Sequence, residues 1–413
     1  MRCVLSKNLA ALAIFVSTIP VSAIAVSALA AQDTRILAEK PLDSAHAVQL
    51  RETSGQIHLV VVSNATRQEA LMLDSYPAKS IAAWPVLEVF GAHSAYLHFY
   101  GDYGLYYGSR KYLFDLGTTQ PPVKIPYGIM SLRSTSRQGE KLVYSGSFAE
   151  GGEVQDPARQ RSAVISIDPR ASGFPAYEVS AVGPPLELPL PIEPVLRGPA
   201  GERVVVEHTT PPGEPHRPST ILVGSRGNEE AFPAPIPTLD LYRRILHRKQ
   251  PPDEIESDIG PYAQDIDKIW FATTFYDGEG VSGVGAIGSF DISARKYEMR
   301  YLPAIAPWSG SAILLDGGDL WIGLKRRPEG ADIAGGLLKY NVQTGAVETF
   351  AIPDVIFTID RAQDAIYCGT SHGLYTIRGA RVTQFRFEPV ETGRLVMIPR
   401  DVPQRPDAAG SVR

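Results

Sequence analysis

The sequence has little cysteine and no excess of positive charge, and each absence excludes a class of protein. Only 2 of its 413 residues are cysteine, which excludes a small scaffold held together by disulfides. Its 45 acidic residues outnumber its 40 basic ones, for a formal net charge of −5. Because no basic field results, we expect neither nucleic acid nor an anionic membrane surface as a partner.

The usual metal and cofactor motifs are also missing. The eight histidines and two cysteines show no metal-ligand spacing, and there is no HExxH or phosphate-binding glycine loop. We therefore expect no metal and no cofactor. Asp277 and Glu279 resemble the start of a calcium loop, but Val281 occupies the next ligand position. Since no distal Glu follows, a solvated acidic loop is favoured over a calcium site.

One short string matches a hydrolase motif. Residues 369–373 read GTSHG, which fits the nucleophile-elbow pattern G-x-S-x-G. That chemistry needs a strand, a tight turn and then a helix, whereas GLYTIRG follows here and predicts another strand. A hairpin loop is therefore favoured over a nucleophile. The neighbouring Cys368 lies in the apolar run AIYCG, which predicts a buried and unreactive thiol.

The first thirty residues have the pattern of a signal peptide. Arg2 and Lys7 precede a long apolar run that ends in Ala28-Leu29-Ala30. The alternative is an uncleaved membrane anchor, but Pro20 and the small-residue ending favour cleavage. We expect residues 1–30 to be removed and the protein to be exported, to the periplasm or the outside of the cell. No later run approaches membrane length, so no membrane association is expected after cleavage.

A short apolar run with an aromatic or β-branched centre recurs seven times along the chain. The copies are IHLVVVS, AYLHFYG, KLVYSGS, RVVVEHT, KIWFATT, DLWIGLK and AIYCGTS, which begin at residues 57, 95, 141, 203, 268, 319 and 365. Each is followed by a second apolar run that ends in a polar turn, as in FDISARK and YNVQTG. With the apolar stretch before each copy, the pattern predicts four strands in a unit of about 40 to 65 residues.

These units predict an all-β protein, a seven-bladed β-propeller of four-stranded antiparallel blades over residues 33–400. Residues 401–413 are expected to form a flexible C-terminal tail. The one helical segment, TLDLYRRILHR at 238–248, has apolar residues on one face and predicts a short insertion. KIWFATT…GAIGSFDISARKYEMRYLP resembles a blade of the streptogramin-lyase-like propellers, and DLWIGLK…GGLLKYNVQTGAVETFAIP is similar to the two-component-regulator propeller repeat. The resemblance covers residues 265–390 and implies the propeller fold, but blades of this kind serve many functions and the catalytic residues of the lyases cannot be placed here.

The predicted ring places a set of side chains at one funnel. Pro-containing steps into the first strand of several units bring aromatic and acidic residues to this rim, namely Trp84, Tyr127, Glu193, Tyr262, Trp308 and Asp354. The loops between second and third strands bring charged residues to the same rim, namely Asp277, Glu279, Arg326, Arg327 and His372. Converging aromatic and charged groups predict a binding site. The alternative is that the aromatic residues only plug the mouth of the channel.

Three functions remain open on the sequence. The first is a non-catalytic, monomeric, exported protein that binds a small molecule, a glycan or a protein at the funnel. The second is a lyase or hydrolase with its site in the same funnel, and the third is a structural scaffold of the cell envelope. Five tyrosines between residues 100 and 112 could also stack on sugar rings, although tyrosines often pack between blades. Binding is favoured because the signatures of catalysis are missing.

Overall fold

Antiparallel β-strands make up nearly all of the regular structure in this protein. The computed structural model describes residues 34–53, 56–63, 69–71, 86–90, 94–99, 110–116, 123–125, 131–149, 160–170, 176–183, 196–208, 218–235, 239–246, 256–277, 280–282, 285–302, 305–327, 332–391 and 394–404. The predicted signal peptide and tail residues 405–413 lie outside these ranges. Within them, no helix has the length and apolar character needed to cross a membrane.

The chain divides into two compact units, of which the first comprises residues 1–102 and 114–122. It contains the sheet β1-β2-β3-β4 and the antiparallel pair β5–β6. The strands are β1 (Thr34–Pro41), β2 (His46–Thr53), β3 (Gln56–Ser63), β4 (Glu69–Leu71), β5 (Val86–Phe90) and β6 (Ser94–Phe99). Val48 and Leu50 share one face of β2, and Leu50 pairs with Leu59 of β3. All three side chains are fully buried, so this face forms the interior of the sheet.

The second unit comprises residues 103–113 and 123–413. The strand β7 (Arg110–Asp115) crosses the chain boundary between the units, with residues 110–113 in this one. The next strands are β8 (Val123–Ile125), β9 (Ser131–Gln138), β10 (Lys141–Ala149), β11 (Gln160–Asp168), β12 (Ala176–Gly183), β13 (Leu196–Arg197), β14 (Arg203–Glu207), β15 (Thr220–Ser225) and β16 (Asn228–Pro233). The remaining strands are β17 (Glu256–Asp265), β18 (Lys268–Asp277), β19 (Gly280–Ser282), β20 (Ala286–Asp291), β21 (Lys296–Tyr301), β22 (Ser309–Asp316), β23 (Asp319–Arg326), β24 (Ile333–Asn341), β25 (Val347–Phe350), β26 (Ile356–Ala362), β27 (Ala365–Thr370), β28 (Gly373–Arg378), β29 (Arg381–Glu391) and β30 (Arg394–Val402). Consecutive strands form five sheets, namely β9–β12, β13–β16, β17–β21, β22–β25 and β26–β30.

The predicted strands and the predicted helix are confirmed. Each of the seven recurring apolar runs is a strand, respectively β3, β6, β10, β14, β18, β23 and β27. The helix α1 (Leu239–Leu246) lies within the predicted segment, between β16 and β17. Asp240 in its first turn and Arg243 and Arg244 near its end complement the helix dipole.

Apolar faces join the sheets of the second unit in an order that differs from the chain order. Buried clusters join sheet β13–β16 to β17–β21, then to β22–β25, and then to β26–β30. A further cluster joins β26–β30 to the sheet β9–β12, with Tyr144 against Tyr367 and Phe387 among its members. In a seven-membered ring built in chain order, β9–β12 would instead lie between the second and fourth sheets. The described residues show no closed ring, and the count of seven blades stays a prediction.

The C-terminal strand extends beyond the predicted propeller boundary. β30 continues to Val402, and Gln404 exchanges two hydrogen bonds with the backbone of Ala351, at 2.8 and 3.2 Å. Residues 401–404 are therefore tied to the turn that follows β25.

Candidate functional site

Four of the predicted rim residues lie at one end of two neighbouring sheets. In each sheet of the second unit this end, called here the site end, is where the second strand stops and the first strand starts. Trp308 precedes β22 and Arg326 ends β23, while Asp354 precedes β26 and His372 follows β27. The two sheets touch close to these residues, because a Cβ on Gly323 of β23 would lie 2.9 Å from Cβ of Ile356 in β26. The two residue pairs therefore belong to one region of the surface.

Arg326 stacks on the indole of Trp308. The pairing of Ser309 with Lys325 brings the start of β22 beside the end of β23, and the Arg326 Cζ lies 5.3 Å from the Trp308 ring centroid. The indole packs directly against the backbone of Gly335, since a Cβ at that position would lie 2.5 Å from Cδ2 of Trp308. Only glycine leaves room for the ring there. The stack is a cation–π contact built on a fixed aromatic platform.

The carboxylate of Asp354 is the centre of the second pair. Its Oδ1 lies 2.7 Å from Nδ1 of His372, and its Oδ2 accepts hydrogen bonds from Tyr375 Oη and from Gln384 Nε2, the latter at 3.0 Å. Gln384 Nε2 also donates to the His372 carbonyl at 3.1 Å. The side chains of Asp354 and His372 are only 12% and 15% exposed. Three partners therefore surround this buried carboxylate, and the contact with Nδ1 fixes the orientation of the imidazole.

The turn between β27 and β28 consists of Ser371 and His372, and β28 follows at Gly373. The prediction that GTSHG is a hairpin loop is confirmed. Gly373 has a φ of +103°, and a Cβ there would lie 2.3 Å from the Phe385 carbonyl oxygen. A Cβ on Gly369 would lie 2.6 Å from Thr358 Oγ1. Both glycines of the string are thus required by backbone packing.

The geometry around Ser371 does not provide a nucleophile. Its Oγ accepts the Val355 N–H at 3.2 Å and lies 3.0 Å from Nδ1 of His372. Asp354 contacts the same ring nitrogen, so Nδ1 carries the proton that the carboxylate accepts. A general base would need a bare nitrogen facing the hydroxyl, which is Nε2 in a Ser-His-Asp triad. The three residues share one nitrogen and cannot pass a proton in that way.

One atom of this cluster, Nε2 of His372, makes no hydrogen bond to the described residues. It is buried, and the described residues give it no hydrogen-bond partner. With the proton on Nδ1, Nε2 offers a lone pair, and after protonation it becomes a donor. The imidazole therefore holds one buried polar atom that has no partner among the described residues.

Burial raises the pKa of two further groups in this sheet, Tyr375 and Cys368. Desolvation, followed by the charge of Asp354, raises the pKa of the Tyr375 phenol far above its usual range. Burial likewise raises the pKa of the Cys368 thiol, whose side chain is completely buried. The phenol remains a donor at any physiological pH. The predicted buried thiol is confirmed.

A third polar cluster at the same end was not anticipated. His208, which follows β14, lies 2.9 Å through Nδ1 from Ser219 Oγ, and its ring stacks on Tyr262 at 6.3 Å between centroids. Asp258 of β17 accepts the Ser219 N–H at 3.2 Å. Of these residues only Tyr262 was predicted, and it lies inside β17, where it packs on an apolar cluster. The residues are far apart in sequence, so no local pattern could have indicated the cluster.

Several predicted site residues are not placed by the structure. Trp84, Tyr127, Glu193 and Glu279 lie outside the described residues. Asp277 ends β18, and nothing of its side chain is described. Of the tyrosines considered for sugar stacking, Tyr112 is buried at 2% exposure and the others lie outside the described ranges.

The predicted rim residue Arg327 is placed, and it forms two hydrogen bonds with Asp332, at 2.8 and 3.1 Å. Within the described ranges no group of three His, Cys, Asp or Glu residues could hold a metal.

Buried charges also occur away from the site end. Lys111 Nζ donates to Glu388 Oε2 at 2.7 Å, and Arg386 lies 3.3 Å from the same carboxylate. All three side chains are nearly inaccessible. Desolvation lowers the pKa of Lys111 despite the favourable charge of Glu388. Lys111 and Glu388 are 277 residues apart in sequence, and no local sequence pattern predicts that they pair.

Comparison with known proteins gives weak likenesses only. No protein-family model and no curated protein matches the sequence. The extracellular domain of a proposed hybrid two-component system from B. thetaiotaomicron is 15% identical with a TM-score of 0.29, covering 86% of this chain and 40% of that chain. The β-propeller domain of the Trilobed protease from Pyrococcus furiosus is 12% identical with a TM-score of 0.23, covering 88% and 95%. The acylaminoacyl peptidase of Pyrococcus horikoshii is 11% identical with a TM-score of 0.27, covering 84% and 51%.

This chain thus spans about 40% of the length of the two-component domain that it resembles. The TM-scores are too low to identify residues or an activity. The candidate site rests on its own geometry: two polar pairs, Arg326 with Trp308 and Asp354 with His372, at one end of adjoining antiparallel sheets.

Proposed function

We propose that this protein is an exported β-propeller that binds a small molecule, a glycan or a protein at the site end of its sheets, without catalysing a reaction. One observation carries the proposal. An arginine on a fixed indole and a histidine on a buried carboxylate lie at the same end of two adjoining sheets. Aromatic faces with a few oriented polar groups are typical of ligand sites.

Two features of the polar groups favour binding over catalysis. Ser371 and Asp354 share Nδ1 of His372, which leaves no base for the hydroxyl. Asp354 accepts hydrogen bonds from Tyr375 and Gln384 and contacts Nδ1 of His372, so both of its carboxylate oxygens are engaged within the sheet. These groups can orient a ligand, since their positions are held by contacts within the sheet.

A closed ring of seven blades and export are parts of this proposal. Seven recurring runs that each form a strand support the ring, and the leader-like residues 1–30 support export. Intact-mass measurement on protein purified from the producing cells tests export, with a start at Ala31 expected and a species retaining Met1 contradicting it. A crystal structure tests the ring, because a closed seven-bladed ring in chain order requires the sheet β9–β12 beside β13–β16 in place of the packing on β26–β30 described above.

Ligand binding is tested by a thermal-shift screen of soluble glycans, sugars and metabolites, followed by tryptophan fluorescence titration. The variant is Trp308→Leu, which removes the platform. The control is Arg381→Gln, which removes an exposed ion pair to Asp401 at the opposite end of sheet β26–β30. We expect a ligand that shifts the wild type and the control alike and binds Trp308→Leu at least about tenfold more weakly, since a buried aromatic anchor is worth 2 kcal/mol or more. Equal binding by all three proteins would place the site elsewhere.

A further inference from the structure

In the part of the chain that the structure describes, Arg326 has no carboxylate partner, unlike three other arginines of the same and adjoining sheets. Arg327 is bound by Asp332, Arg300 by Glu298 and Arg361 by Asp316. Among the described residues, no Asp or Glu lies within ion-pair distance of Arg326. Its contact is the face of Trp308, which takes up charge from one side but accepts no hydrogen bond in the plane of the guanidinium.

The guanidinium is also partly withdrawn from water. Its Nε is buried and has no hydrogen-bond acceptor in the described part of the chain. Buried N–H groups are nearly always paired, and a buried cationic donor without an acceptor lowers stability. Such an atom is consistent with a site that an acceptor fills from outside the chain.

The carboxylates of the adjoining described segments have other partners. Asp332 is bound through both oxygens to Arg327, and Asp354 is engaged by His372, Tyr375 and Gln384. Among the described residues no carboxylate neutralises the positive charge of Arg326, which favours an anion as the ligand.

Resting on the proposed function, we infer that the ligand carries a carboxylate and that Arg326 binds it. The planar fork of a guanidinium matches the two oxygens of a carboxylate, and the Trp308 platform fixes the plane in which the fork opens. A phosphate can present two oxygens to the same fork, but a single guanidinium neutralises only part of its charge of about −2, so the singly charged carboxylate is the better match. No bond is made or broken in this step.

The test compares ligands that differ in one group. Glucuronate and glucose share a sugar ring and differ in a carboxylate, and glucose 6-phosphate carries a phosphate at the same position. Each is titrated against the intact chain at constant ionic strength, with melting temperature and tryptophan emission as readouts. Glucuronate is expected to raise the melting temperature, glucose to have no effect, and glucose 6-phosphate to bind more weakly than glucuronate. Acetate, as the carboxylate alone, should produce a smaller shift of the same sign.

Three variants assign the effect to the residue. Arg326→Gln should abolish the glucuronate shift, while Arg326→Lys, which keeps the charge and loses the fork, should weaken binding about tenfold or more. Arg381→Gln, at the opposite end of the neighbouring sheet, should bind like the wild type. Arg326→Lys keeps the measurement informative if Arg326→Gln fails to fold.

Several outcomes would overturn the inference. A glucuronate or acetate shift that persists in Arg326→Gln, or no shift with either in the wild type, contradicts it, and tighter binding of the phosphate reassigns the ligand class. A neutral glycan that binds the wild type and Arg326→Gln equally, but not Trp308→Leu, would refute the carboxylate and leave the proposed function intact. If the hairpin of β18 and β19, which contacts β23, supplies the partner instead, Arg326→Gln and Asp277→Asn will lower the melting temperature equally and no anion will bind.

Discussion

The two ends of the sheets in the second unit are built from different kinds of contact. At the end where third strands turn into fourth strands, called here the turn end, the acidic and amide side chains that end the third strands bond their own loop, and ion pairs such as Arg381 with Asp401 join neighbouring strands. Asp168 accepts the N–H of Arg170 at 3.0 Å, Asp291 that of Ala294 at 2.7 Å, and Asn341 that of Thr344 at 2.9 Å. At the site end the partners lie far apart in sequence, as with Asp354 and Gln384.

We therefore expect the turn-end contacts to serve stability alone and the site-end contacts to serve both stability and binding. A turn-end side chain satisfies backbone donors two or three residues away, which defines a hairpin and leaves nothing for a ligand. A site-end side chain is positioned by strands that meet only in the folded sheet, and atoms such as His372 Nε2 remain without a partner among the described residues. Substitutions at the turn end should therefore change stability alone, and those at the site end should change stability and binding together.

The largest effect is expected for Trp308→Ala. The indole packs on Gly335 and on the cluster around Leu324, so its removal leaves a cavity as well as an unsupported Arg326. We expect a loss of about 3 kcal/mol in the free energy of unfolding, at the lower limit for a buried aromatic because the ring is partly exposed. Urea unfolding measures it. A loss below about 1 kcal/mol would show that the ring is not a structural platform.

Asp354→Asn is expected to have the next largest effect. The substitution places an amide group against the donors Tyr375 and Gln384, and one of them loses its acceptor. The expected cost is about 2 kcal/mol, the penalty for a buried donor left unpaired. The double variant Asp354→Asn/Tyr375→Phe should recover part of that loss. If the destabilisation of the double variant equals the sum of the two single destabilisations, the hydrogen bond between Tyr375 and Asp354 is not the cause of the loss.

A smaller effect is expected at the turn end from Asn341→Ala. The amide oxygen accepts two backbone N–H groups and the Thr344 hydroxyl, and the amide nitrogen donates to Asp319. Because these groups are exposed and water can replace the side chain, we expect a loss of about 1 kcal/mol. Ligand binding should be unchanged in a fluorescence titration. A change in affinity would contradict the separation of the two ends.

The smallest effect concerns acid unfolding and Asp168. Hydrogen bonds from the Arg170 side chain and backbone lower the pKa of this carboxyl from 3.8 to about 2. Since the folded pKa is below the unfolded one, the contribution to stability is present above pH 3.8 and is lost as the pH falls toward 2. Asp168→Asn should therefore flatten the decline in stability in this window, by a small amount because the pair is exposed. Urea midpoints between pH 5 and pH 2 measure it, and an unchanged slope would refute it.

A contrasting slope is expected from Asp360, which lies in β26 near Tyr144. Burial raises the pKa of this carboxyl above 3.8. A raised folded pKa means that the charged form opposes folding, so stability falls as the pH rises from 3.8 through the folded pKa. Asp360→Asn should remove that fall, opposite in sign to the effect of Asp168→Asn. Identical pH profiles for the two variants would contradict the assigned directions.

Much of the secondary structure could be predicted, because it depends on neighbours in the chain. The recurring runs are strands because alternate side chains, such as Leu320, Ile322 and Leu324 of β23, face the same buried side of one sheet. The helix α1, the hairpin at Ser371 and the burial of Cys368 followed from equally local patterns. The location of Trp308, Arg326, Asp354 and His372 where strands begin and end was also predicted, and their role in binding stays a prediction.

The partners of those residues could not be predicted. Nothing local indicates that Tyr375 and Gln384 reach Asp354, because each lies on a different strand and only the sheet register brings them together. The cluster of His208, Ser219 and Asp258 was missed for the same reason. The packing of sheet β9–β12 on β26–β30 was missed because any two apolar sheet faces are compatible by composition.

The sequence by itself determined that the described part of this protein is built of short antiparallel strands with one helical interruption near residue 240, since hydrophobic period and turn chemistry act within a few residues. The tertiary structure decided which side chains meet. In the described residues Arg326 contacts an indole and no carboxylate, and Asp354 contacts His372, Tyr375 and Gln384. Lys111 is buried against Glu388. These contacts depend on register and on the close approach that residues such as Gly335 and Gly369 allow, and that geometry exists only after the sheets have packed.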